Sequence, residues 1–565
     1  MLYLMFVVKN RGDRFMKKLI INEREDQIVN LDSIPRWDRG LIDYKKYHNS
    51  VGQSGIRYEM TMQGTRGCPF QCFYCDVQHL TPFHRRRSVS NIVSEVEYLS
   101  SIGVKKIEFI DDAFNIHKKE FKDFFKQVIS KKLNIDFYFQ SGLRGDALDE
   151  EAIDLMVAGG TKSVNLSLES ASPRLQKLMG KNLKIDKLYN NIQYMVSKYP
   201  RIILGLNAMH GFPTETEDEA QSTVDFITSI KWLHFAQLHN VRIFPNSRLE
   251  QVALENGVTK EEIEESLTMP YHLIPKTIKL NHDFSRKLRL KFVHDYVLNP
   301  VRLKYILGQE LYVMNEEELK YKYQSIFPTR INSINDVLKL ARLKREDVDF
   351  SLMPKEGENN IIYPKTEHVY SECAFRILCV DVSQFFTEDV TVELNVVEPP
   401  LGFMSILSYL NDKYKDKING KIIKTGVDVN SFLELTNMIN EFKPDLIAIR
   451  TLTYFKEFFK DVVSNIRTIN KCVPIIAGGP HPTINPYECL SSVDIQACVI
   501  GEGEIICSNI VGYMLKHNYQ FPNNVDLKSI KGIAFLESND EGEAMLSDSI
   551  KDKNGRYVRY ANWSL

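Results

Sequence analysis

The chain has 565 residues, more than the roughly 100 to 200 residues of one ordinary domain, so we expect two or three separately cored units. Its 72 basic and 73 acidic residues give a net charge of -1, which excludes an overall field that attracts nucleic acid or an anionic membrane. The apolar segment from Leu2 to Val8 is too short for a secretory signal, and no later apolar run reaches membrane-spanning length. These features indicate a cytoplasmic protein.

Residues 1–50 are predicted to be a connector, and residues 51–250 show six short apolar runs that alternate with segments of helical periodicity. This pattern favours an α/β fold, with a partial (β/α)6 TIM-type barrel around a parallel sheet. Thr214 and Glu217 predict a capping box for a helix that begins near Glu215. The predicted strands are Tyr58–Gln63, Lys105–Ile110, Ile135–Phe139, Ser163–Leu168, Ile202–Ala208 and Phe235–Val241.

After the barrel the alternation stops, and residues 251–365 are predicted to be a helical extension that ends in a polar linker from Pro354 to Pro364. Residues 366–565 alternate again and predict a doubly wound, Rossmann-like (flavodoxin-like) domain. Its predicted strands are Arg376–Val382, Lys421–Lys424, Asp445–Arg450, Val473–Ala477 and Ala497–Ile500.

Three cysteines lie within eight residues directly after the first predicted strand: Cys68, Cys72 and Cys75. One loop with this spacing can surround a metal cluster, and thiolates are the natural ligands of iron-sulfur centres. A structural zinc site would need a fourth ligand, which His79 or His84 could supply, although neither follows a paired-ligand pattern. Structural zinc, or a cluster of cysteines without function, is therefore the alternative interpretation.

The cysteine spacing, with the aromatic Tyr74 before the last cysteine, resembles the radical S-adenosylmethionine (SAM) superfamily over about residues 60–246. The resemblance implies a 4Fe-4S cluster with three irons held by Cys68, Cys72 and Cys75. It further implies that SAM chelates the fourth iron and is cleaved by reduction to a 5'-deoxyadenosyl radical. An external electron donor of the flavodoxin or ferredoxin type is implied as well.

The family places its SAM contacts beside the cysteines, at the ends of successive strands and in the loop after the fifth strand. In this chain those positions hold Tyr74, Asp111, Asp112, Gln140, Arg144, Glu169, His210 and Gly211. The residue types suit the ligand, since ribose hydroxyls need acceptors such as Glu169 and the methionine carboxylate needs a cation such as Arg144. Alternatively, each residue has a surface or capping role in an ordinary strand-to-helix loop.

Three later segments resemble the cobalamin-binding domain that accompanies one branch of this superfamily: Pro399–Gly402, Ile476–Thr483 and Val499–Glu504. Glycines directly after buried strands let a flat macrocycle approach the backbone, although any doubly wound domain also needs glycines where strands end. The Asp-x-His-x-x-Gly motif is absent, so histidine ligation of cobalt is not expected. The candidate cobalamin contacts are Pro400, Gly402, Thr451, Gly478, Gly479, His481, Gly501 and Gly503.

The order of the two domains is the reverse of that in the resembled branch. Leu31 to Tyr47 resembles the connector that leaves such a cobalamin domain, and Ile530 to Phe535 resembles the hairpin before that connector. A permutation or a truncated tandem array would explain both ends. We expect the C-terminal domain to cover the barrel mouth, either of its own chain or of a partner in a domain-swapped homodimer.

The resemblance implies a cobalamin-dependent radical enzyme that transfers a methyl group to an unactivated carbon of an organic substrate. Two alternatives remain open at this point. One is a radical cyclase or oxidoreductase in which cobalamin donates no methyl group, and the other is a non-catalytic cobalamin-binding module. A hydrolase is disfavoured because the sequence contains no Gly-x-Ser-x-Gly nucleophile motif.

Overall fold

The computed structural model describes residues 2–3, 17–48, 50–269, 273–327, 329–354, 360–365, 374–386 and 396–538. In this part of the chain the strands are β1 (Leu2–Tyr3), β2 (Lys17–Ile21), β3 (Glu59–Met62), β4 (Thr65–Arg66), β5 (Arg85–Arg86), β6 (Lys106–Phe109), β7 (Asp136–Leu143), β8 (Thr161–Glu169), β9 (Ile203–His210), β10 (Phe235–Asn240), β11 (Phe375–Val382), β12 (Ile418–Lys424), β13 (Leu446–Thr451), β14 (Ile475–Gly478), β15 (Ala497–Val499) and β16 (Ile533–Ser538).

The α-helices of the same residues are α1 (Tyr44–His48), α2 (Val77–Leu80), α3 (Val89–Ser101), α4 (Lys118–Ser130), α5 (Glu150–Ala158), α6 (Pro173–Leu178), α7 (Ile185–Lys198), α8 (Glu217–Ser229), α9 (Arg248–Glu255), α10 (Lys260–Leu267), α11 (His282–Phe292), α12 (Pro300–Glu310), α13 (Glu316–Gln324), α14 (Ile334–Leu340), α15 (Leu401–Tyr414), α16 (Phe432–Phe442), α17 (Lys456–Ile469), α18 (Pro480–Ile484), α19 (Pro486–Ser492), α20 (Gly503–Lys516) and α21 (Asn524–Leu527). None of these helices is long and apolar enough to cross a membrane.

The first sheet contains the strands predicted for the barrel, and all of them pair in parallel in the order β10-β9-β8-β7-β6-β3. Because the order follows the chain and β3 does not pair with β10, the sheet is an open one, as in an incomplete barrel. Helices cover it through apolar stripes: α4 buries Phe121, Phe124, Phe125 and Val128 at helical spacing. The α/β prediction for this half is confirmed.

The prediction for the start of α8 is wrong by two residues. The N-cap is Thr216, which forms a capping box with Glu219. Thr214 instead lies in the preceding loop, where its carbonyl oxygen accepts a hydrogen bond from Arg174 at 2.6 Å. Both Thr214-Glu217 and Thr216-Glu219 have the Thr-x-x-Glu spacing, so only the packing of the loop selects between them.

Helices α9 to α14 follow the first sheet, and α11 contacts α8. Arg302 of α12 is buried and donates to the carbonyl oxygens of Leu233 at 2.8 Å and His234 at 3.1 Å. These contacts fix the helical extension to the loop before β10. The predicted linker from Pro354 to Pro364 falls partly on residues 355–359, which lie outside the described residues.

The second sheet has the order β1-β2-β16-β15-β14-β13-β11-β12. The strands predicted for this half, β11 to β15, are parallel neighbours, and numbered among themselves they lie in the order 2-1-3-4-5. That is the flavodoxin-like order, in which ligands bind at the carboxyl ends of the strands. The doubly wound prediction is confirmed.

The segment expected to be only a connector also contributes to this second sheet, which corrects the sequence interpretation. β2 pairs antiparallel with β16, with Ile20 opposite Phe535, and β16 pairs antiparallel with β15. Asn22 holds the junction by donating to the carbonyl oxygens of Leu527 and Ile530, both at 2.6 Å. The five residues of β2 include two lysines, and their partners are more than 500 residues away, so no local pattern indicated the strand.

Candidate active site

The cysteine loop begins after β3 and the short strand β4. Gly67 has φ +78°, and a β-carbon there would lie 2.5 Å from the carbonyl oxygen of Phe83, so the turn into the loop requires glycine. The backbone N-H of Gly67 donates to Oδ2 of Asp112 at 3.2 Å, and the N-H of Gly64 donates to Asp111 at 3.0 Å. Both aspartates therefore shape the start of the loop from the end of the neighbouring strand β6.

The two aspartates differ in what they face. Asp111 is buried and also accepts the backbone N-H of Thr65, so its carboxylate is directed at the protein backbone. Asp112 lines the large cavity between the two halves of the molecule. Burial raises the pKa of Asp111 to about 7 and raises that of Asp112 above its ordinary value. Asp112 is therefore the aspartate that is placed to contact a ligand in the cavity, whereas Asp111 holds the backbone at the start of the cysteine loop.

Cys68, Cys72 and Cys75 lie in one short loop and are partly buried. Burial raises the pKa of all three thiols, to about 12 for Cys75, and neighbouring cysteines raise the pKa of Cys68 and Cys75 further. No set of three or more His, Cys, Asp or Glu side chains among the described residues converges on a single metal ion. Three thiols in one short loop are a donor set that suits an iron-sulfur cluster, whose irons would supply the positive charge that thiolates need.

Arg144 and Glu169 lie around the loop and are both engaged with the protein. The guanidinium of Arg144 stacks 3.9 Å from the ring of Phe70 and pairs with Asp146 at 2.8 Å. Glu169 is the last residue of β8 and has φ +66°. Its Oε1 accepts a hydrogen bond from Nζ of Lys181 at 2.6 Å. Sequence analysis missed Lys181, because no pattern around this loop residue marks it as the partner of a strand-end carboxylate. SAM contacts of Arg144 and Glu169 stay predictions.

The remaining predicted SAM residues are not among those that line the large cavity between the two halves. Gln140 and His210 are buried, and Tyr74 is partly buried. Gln140 donates to Oγ of Ser163 at 2.5 Å, and Tyr74 packs against Phe212 with ring centroids 6.0 Å apart. His210 lies 3.1 Å from a carboxylate oxygen of Glu215.

Gly211 follows with φ +96°, and a β-carbon there would meet Ile278 at 2.4 Å. This glycine is therefore required by protein packing as well as by its backbone conformation. The structure does not bring His210 or Gly211 to the cavity.

A cavity of about 580 Å³ lies between the cysteine loop and the carboxyl ends of the second sheet. From the first half of the chain it is lined by residues that include Gln63, Arg66, Gly67, Asp112 and Ser141. The second half brings to it these predicted cobalamin residues: Gly402, Gly478, Gly479, Gly501 and Gly503. A β-carbon at Gly402 would meet no protein atom within 4 Å, so this part of the backbone is open to a flat ligand.

Pro400, Thr451 and His481 are not among the residues that line this cavity. Pro400 is the N-cap of α15, and the buried hydroxyl of Thr451 donates to the carbonyl oxygen of Val382 at 3.3 Å. His481 is buried in α18, with Nε2 3.9 Å from a carboxylate oxygen of Glu488. None of the described residues that line the cavity is a histidine.

A buried ion-pair network at the end of β11 was missed by the sequence analysis. Asp381 is fully buried and lies 3.0 Å from Nη1 of Arg450 and 3.8 Å from Nζ of Lys424. Burial alone would raise the pKa of Asp381, but the two cations lower it below its ordinary value. Lys424 and Arg450 also line the cavity, so the C-terminal side presents cations held by a buried anion.

Carboxyl groups are also buried inside the first sheet. Glu59 of β3 and Glu108 of β6 are neighbours, and burial raises the pKa of Glu59 to about 8 and that of Glu108 well above its ordinary value. Ser54 donates its hydroxyl to Glu59. Such a pair shares a proton, because two adjacent buried carboxylates cannot both ionise. Glu398, which accepts the N-H of Gln53 at 2.7 Å, continues this acidic region to the cavity.

The C-terminal domain covers the barrel mouth of its own chain, which is one of the two arrangements expected from the sequence. Val51 forms a parallel bridge with Val396, and the N-H of Asp38 donates to Oγ of Ser408 at 2.8 Å. A second cavity of about 370 Å³ opens beside Cys72 and Cys75, with Arg24 and Arg248 in its lining. The cysteine loop thus lies between two cavities.

Comparison with known protein families finds two matches along the chain. The model of the Radical SAM superfamily matches residues 62–227, and the model of the B12 binding domain matches residues 388–511. The first match contains the cysteine loop and Asp112. The second contains the glycine segments that line the large cavity.

Among curated proteins, the chain is 28% identical over 296 residues to an uncharacterized methyltransferase, PH0819, of Pyrococcus horikoshii, which covers 51% of this chain and 61% of that protein. It is 25% identical over 228 residues to the ribosomal protein uS12 methylthiotransferase RimO of Acetivibrio thermocellus, covering 38% of this chain and 47% of that protein. The chain therefore spans about half the length of the curated relatives it matches.

Solved structures overlap with the chain only in part. TsrM of Kitasatospora setae, a radical SAM methyltransferase with cobalamin and a 4Fe-4S cluster bound, has 18% identity and a TM-score of 0.32 over 37% of this chain and 38% of its own. OxsB, a cobalamin-dependent SAM radical enzyme with aqua-cobalamin bound, has 18% identity and a TM-score of 0.27 over 42% of this chain and 36% of its own.

Proposed function

Because the chain carries a radical SAM domain followed by a B12-binding domain, we propose that it is a cobalamin-dependent radical SAM methyltransferase acting on an unactivated carbon of an organic substrate. The observation that carries this proposal is the shared cavity, which joins Gly67 and Asp112 of the first domain to the glycine segments of the second. A substrate in this cavity can be reached from both domains. If only one domain took part in the reaction, residues of the other domain would not be needed in the lining of this cavity.

The two domains imply a 4Fe-4S cluster, SAM and cobalamin, which when bound supply a 5'-deoxyadenosyl radical and a methyl group. Cys68, Cys72 and Cys75 would hold three irons of the cluster. Asp112 holds the N-H of Gly67 and so fixes the start of the ligand loop. The glycines at the ends of β14 and β15 leave the backbone accessible to a corrin, and the covering C-terminal domain limits the access of water to a radical.

We also propose that an external one-electron protein of the flavodoxin or ferredoxin type reduces the cluster and that the enzyme works in the cytoplasm. Radical SAM enzymes generally use an external reductant. The second cavity opens beside Cys72 and Cys75, so the cysteine loop lies close to the surface, where an electron donor could dock. This position supports the proposal. Domain swapping is not needed for the proposed site, since the C-terminal domain contacts the barrel of the same chain.

The test is anaerobic reconstitution with iron and sulfide, followed by incubation with SAM, hydroxocobalamin and a reductant. Wild type should form 5'-deoxyadenosine and retain corrinoid, whereas Cys72→Ala should lose 5'-deoxyadenosine. Cys472→Ala is the matched control, because Cys472 is an exposed free thiol far from the loop in the sequence. If wild type forms no 5'-deoxyadenosine despite a full cluster, the chain is a cobalamin-binding module.

The product of a full turnover separates the remaining alternatives. With SAM that carries a labelled methyl group, a methyltransferase transfers the label to its product. A radical cyclase or oxidoreductase consumes SAM and leaves the product unlabelled. The second result would overturn the methyl-transfer proposal while leaving the radical chemistry in place.

A further inference from the structure

The segment Gly501–Glu504 carries two glutamates that glycine-based cobalamin binding does not explain. Glu504 is buried, and its Oε1 accepts hydrogen bonds from Nη2 of Arg66 at 2.7 Å and from Oγ of Ser405 at 2.6 Å. Arg66 also donates to Ser405 at 3.1 Å. The cysteine-loop strand β4, helix α15 and the start of α20 therefore meet at one closed polar contact.

Glu502 makes the second half of the contact. Its carboxylate accepts hydrogen bonds from both terminal nitrogens of Arg85, with Nη1 at 3.0 Å, and lies 3.5 Å from Nη1 of Arg66. Arg66 and Arg85 are direct partners across the β4-β5 hairpin. Two adjacent arginines of the first domain thus face two glutamates of the second, and the bidentate Arg85-Glu502 pair fixes orientation as well as distance.

These contacts sit between the two predicted cofactor sites. Arg66 is two residues before Cys68, and the glycines that alternate with Glu502 and Glu504 line the large cavity. Arg66, Glu502 and Glu504 line the same cavity, so the contact borders both predicted cofactor sites. The N-H of Gly501 is held in turn by Oγ1 of Thr483 at 3.2 Å.

The ion pair between Arg66 and Glu504 is largely buried. The side chains of Arg66 and Glu504 are 13% and 5% exposed, so salt screens them little. A buried pair of this kind adds little net stability over an apolar contact, and its best-attested use is to specify register.

We propose that Arg66 and Arg85, acting through Glu502 and Glu504, are positioning residues that hold the cobalamin-binding loop at a fixed distance from the cysteine loop. The inference rests on the proposed function, since it assumes that both cofactors bind. Loss of the contact should leave the cysteines able to assemble a cluster. It should weaken corrin binding and alter the spacing between the two cofactors.

The experiment compares Arg66→Met, Glu504→Gln and the conservative variant Arg66→Lys after anaerobic reconstitution. Lys198→Met, which removes an exposed ion pair with Asp154, is the control. Iron and sulfide content reports the cluster, hydroxocobalamin titration reports corrin affinity, and spin-spin coupling between the reduced cluster and cob(II)alamin reports their spacing. None of these readouts requires turnover.

We expect Arg66→Met and Glu504→Gln to keep the cluster, to lose about ten-fold in corrin affinity and to change the spin-spin coupling. Arg66→Lys should recover part of the affinity, and Lys198→Met should match wild type. Unchanged affinity and coupling in Arg66→Met and Glu504→Gln would overturn the inference, as would a wild-type chain that binds no corrin. If Arg66→Met does not fold, the test of the inference rests on Glu504→Gln, because this substitution keeps the size of the side chain.

The inference and the proposed function fail in different ways. A chain that binds both cofactors through this contact but never methylates a product would refute methyl transfer and leave the positioning role intact. An enzyme that methylates its product, but whose corrin affinity and spin-spin coupling do not change in Arg66→Met, would refute the positioning role and leave methyl transfer in place.

Discussion

Two strand edges face each other across the large cavity, and their buried aspartates have pKa values shifted in opposite directions. Asp111 follows β6 and is held by the backbone amides of Gly64 and Thr65, and burial raises its pKa to about 7. Asp381 lies in β11 between Lys424 and Arg450, which lower its pKa despite full burial. Burial by itself therefore does not set the direction of a carboxyl pKa shift. A buried carboxylate in an α/β sheet has a lowered pKa where the fold also places cations beside it.

Asp381→Asn gives the largest expected effect, because it leaves Lys424 and Arg450 without their shared anion. Removing one partner of a buried ion pair costs about 3 to 5 kcal/mol. Hydrogen exchange of the β11 to β14 amides should report the loss of local stability. Asp445→Asn is the control, since Asp445 is partly exposed and lies at the other end of the same sheet. A loss under about 1 kcal/mol would contradict the role of Asp381 as the counter-charge of this edge.

The pH dependence of stability sharpens the comparison. The folded-state pKa values of Asp111 and Glu59, about 7 and about 8, lie above their ordinary values, so both groups stabilise the protein fully at low pH. That stability is lost as the pH rises from about 4 to about 8, by at most about 1.4 kcal/mol per pH unit for each group. Asp381 has the opposite sign, because its contribution is present above its unfolded pKa and is lost as the pH falls through its lowered folded pKa.

Glu59→Gln should therefore flatten the decline in the free energy of unfolding between pH 5 and pH 8, measured by urea denaturation at several pH values. Glu262→Gln is a control at an exposed capping carboxylate. A wild-type protein whose stability rises over this range would show that the buried carboxyl groups of the first sheet are ionised.

Asp111→Asn is the direct counterpart of Asp381→Asn and should cost only about 1 kcal/mol. The amide keeps one oxygen that can accept from Gly64 or Thr65, and no ion pair is broken. Hydrogen exchange of the β3 and β6 amides measures the effect. Equal losses in the two asparagine variants would remove the distinction between the two edges.

Gly402→Ala tests the C-terminal edge with the smallest expected change in stability. The added methyl group meets no protein atom within 4 Å, and alanine favours a helix over glycine by up to about 1 kcal/mol. The protein should therefore be as stable as wild type or slightly more so, while its affinity for hydroxocobalamin falls. If the affinity is unchanged, the corrin does not lie against this turn of α15.

The features that sequence analysis predicted are those set by nearby residues. The strand runs, the cysteine spacing and the glycines after β14 and β15 are local patterns, and the structure places them in two largely parallel sheets that meet at one cavity. The missed features depend on contacts that only the folded chain creates. Lys181 becomes a partner of Glu169 only when a loop folds back over β8, and Asp381 gains its cations from two other strands. His481 is buried in α18 and is not among the residues that line the large cavity, so its contact with cobalamin stays a prediction.

The pairing of β2 with β16 also has a consequence for synthesis on the ribosome. Asn22, directly after β2, contacts Leu527, which is 505 residues later in the chain. At the usual 5 to 20 residues per second, Leu19 and Ile20 leave the ribosome about 25 to 100 s before the strand that buries them. The strands of the first sheet are contiguous and can fold during that interval. β2 therefore stays without its partner strand until β16 has been synthesised, so the second sheet cannot be completed before then.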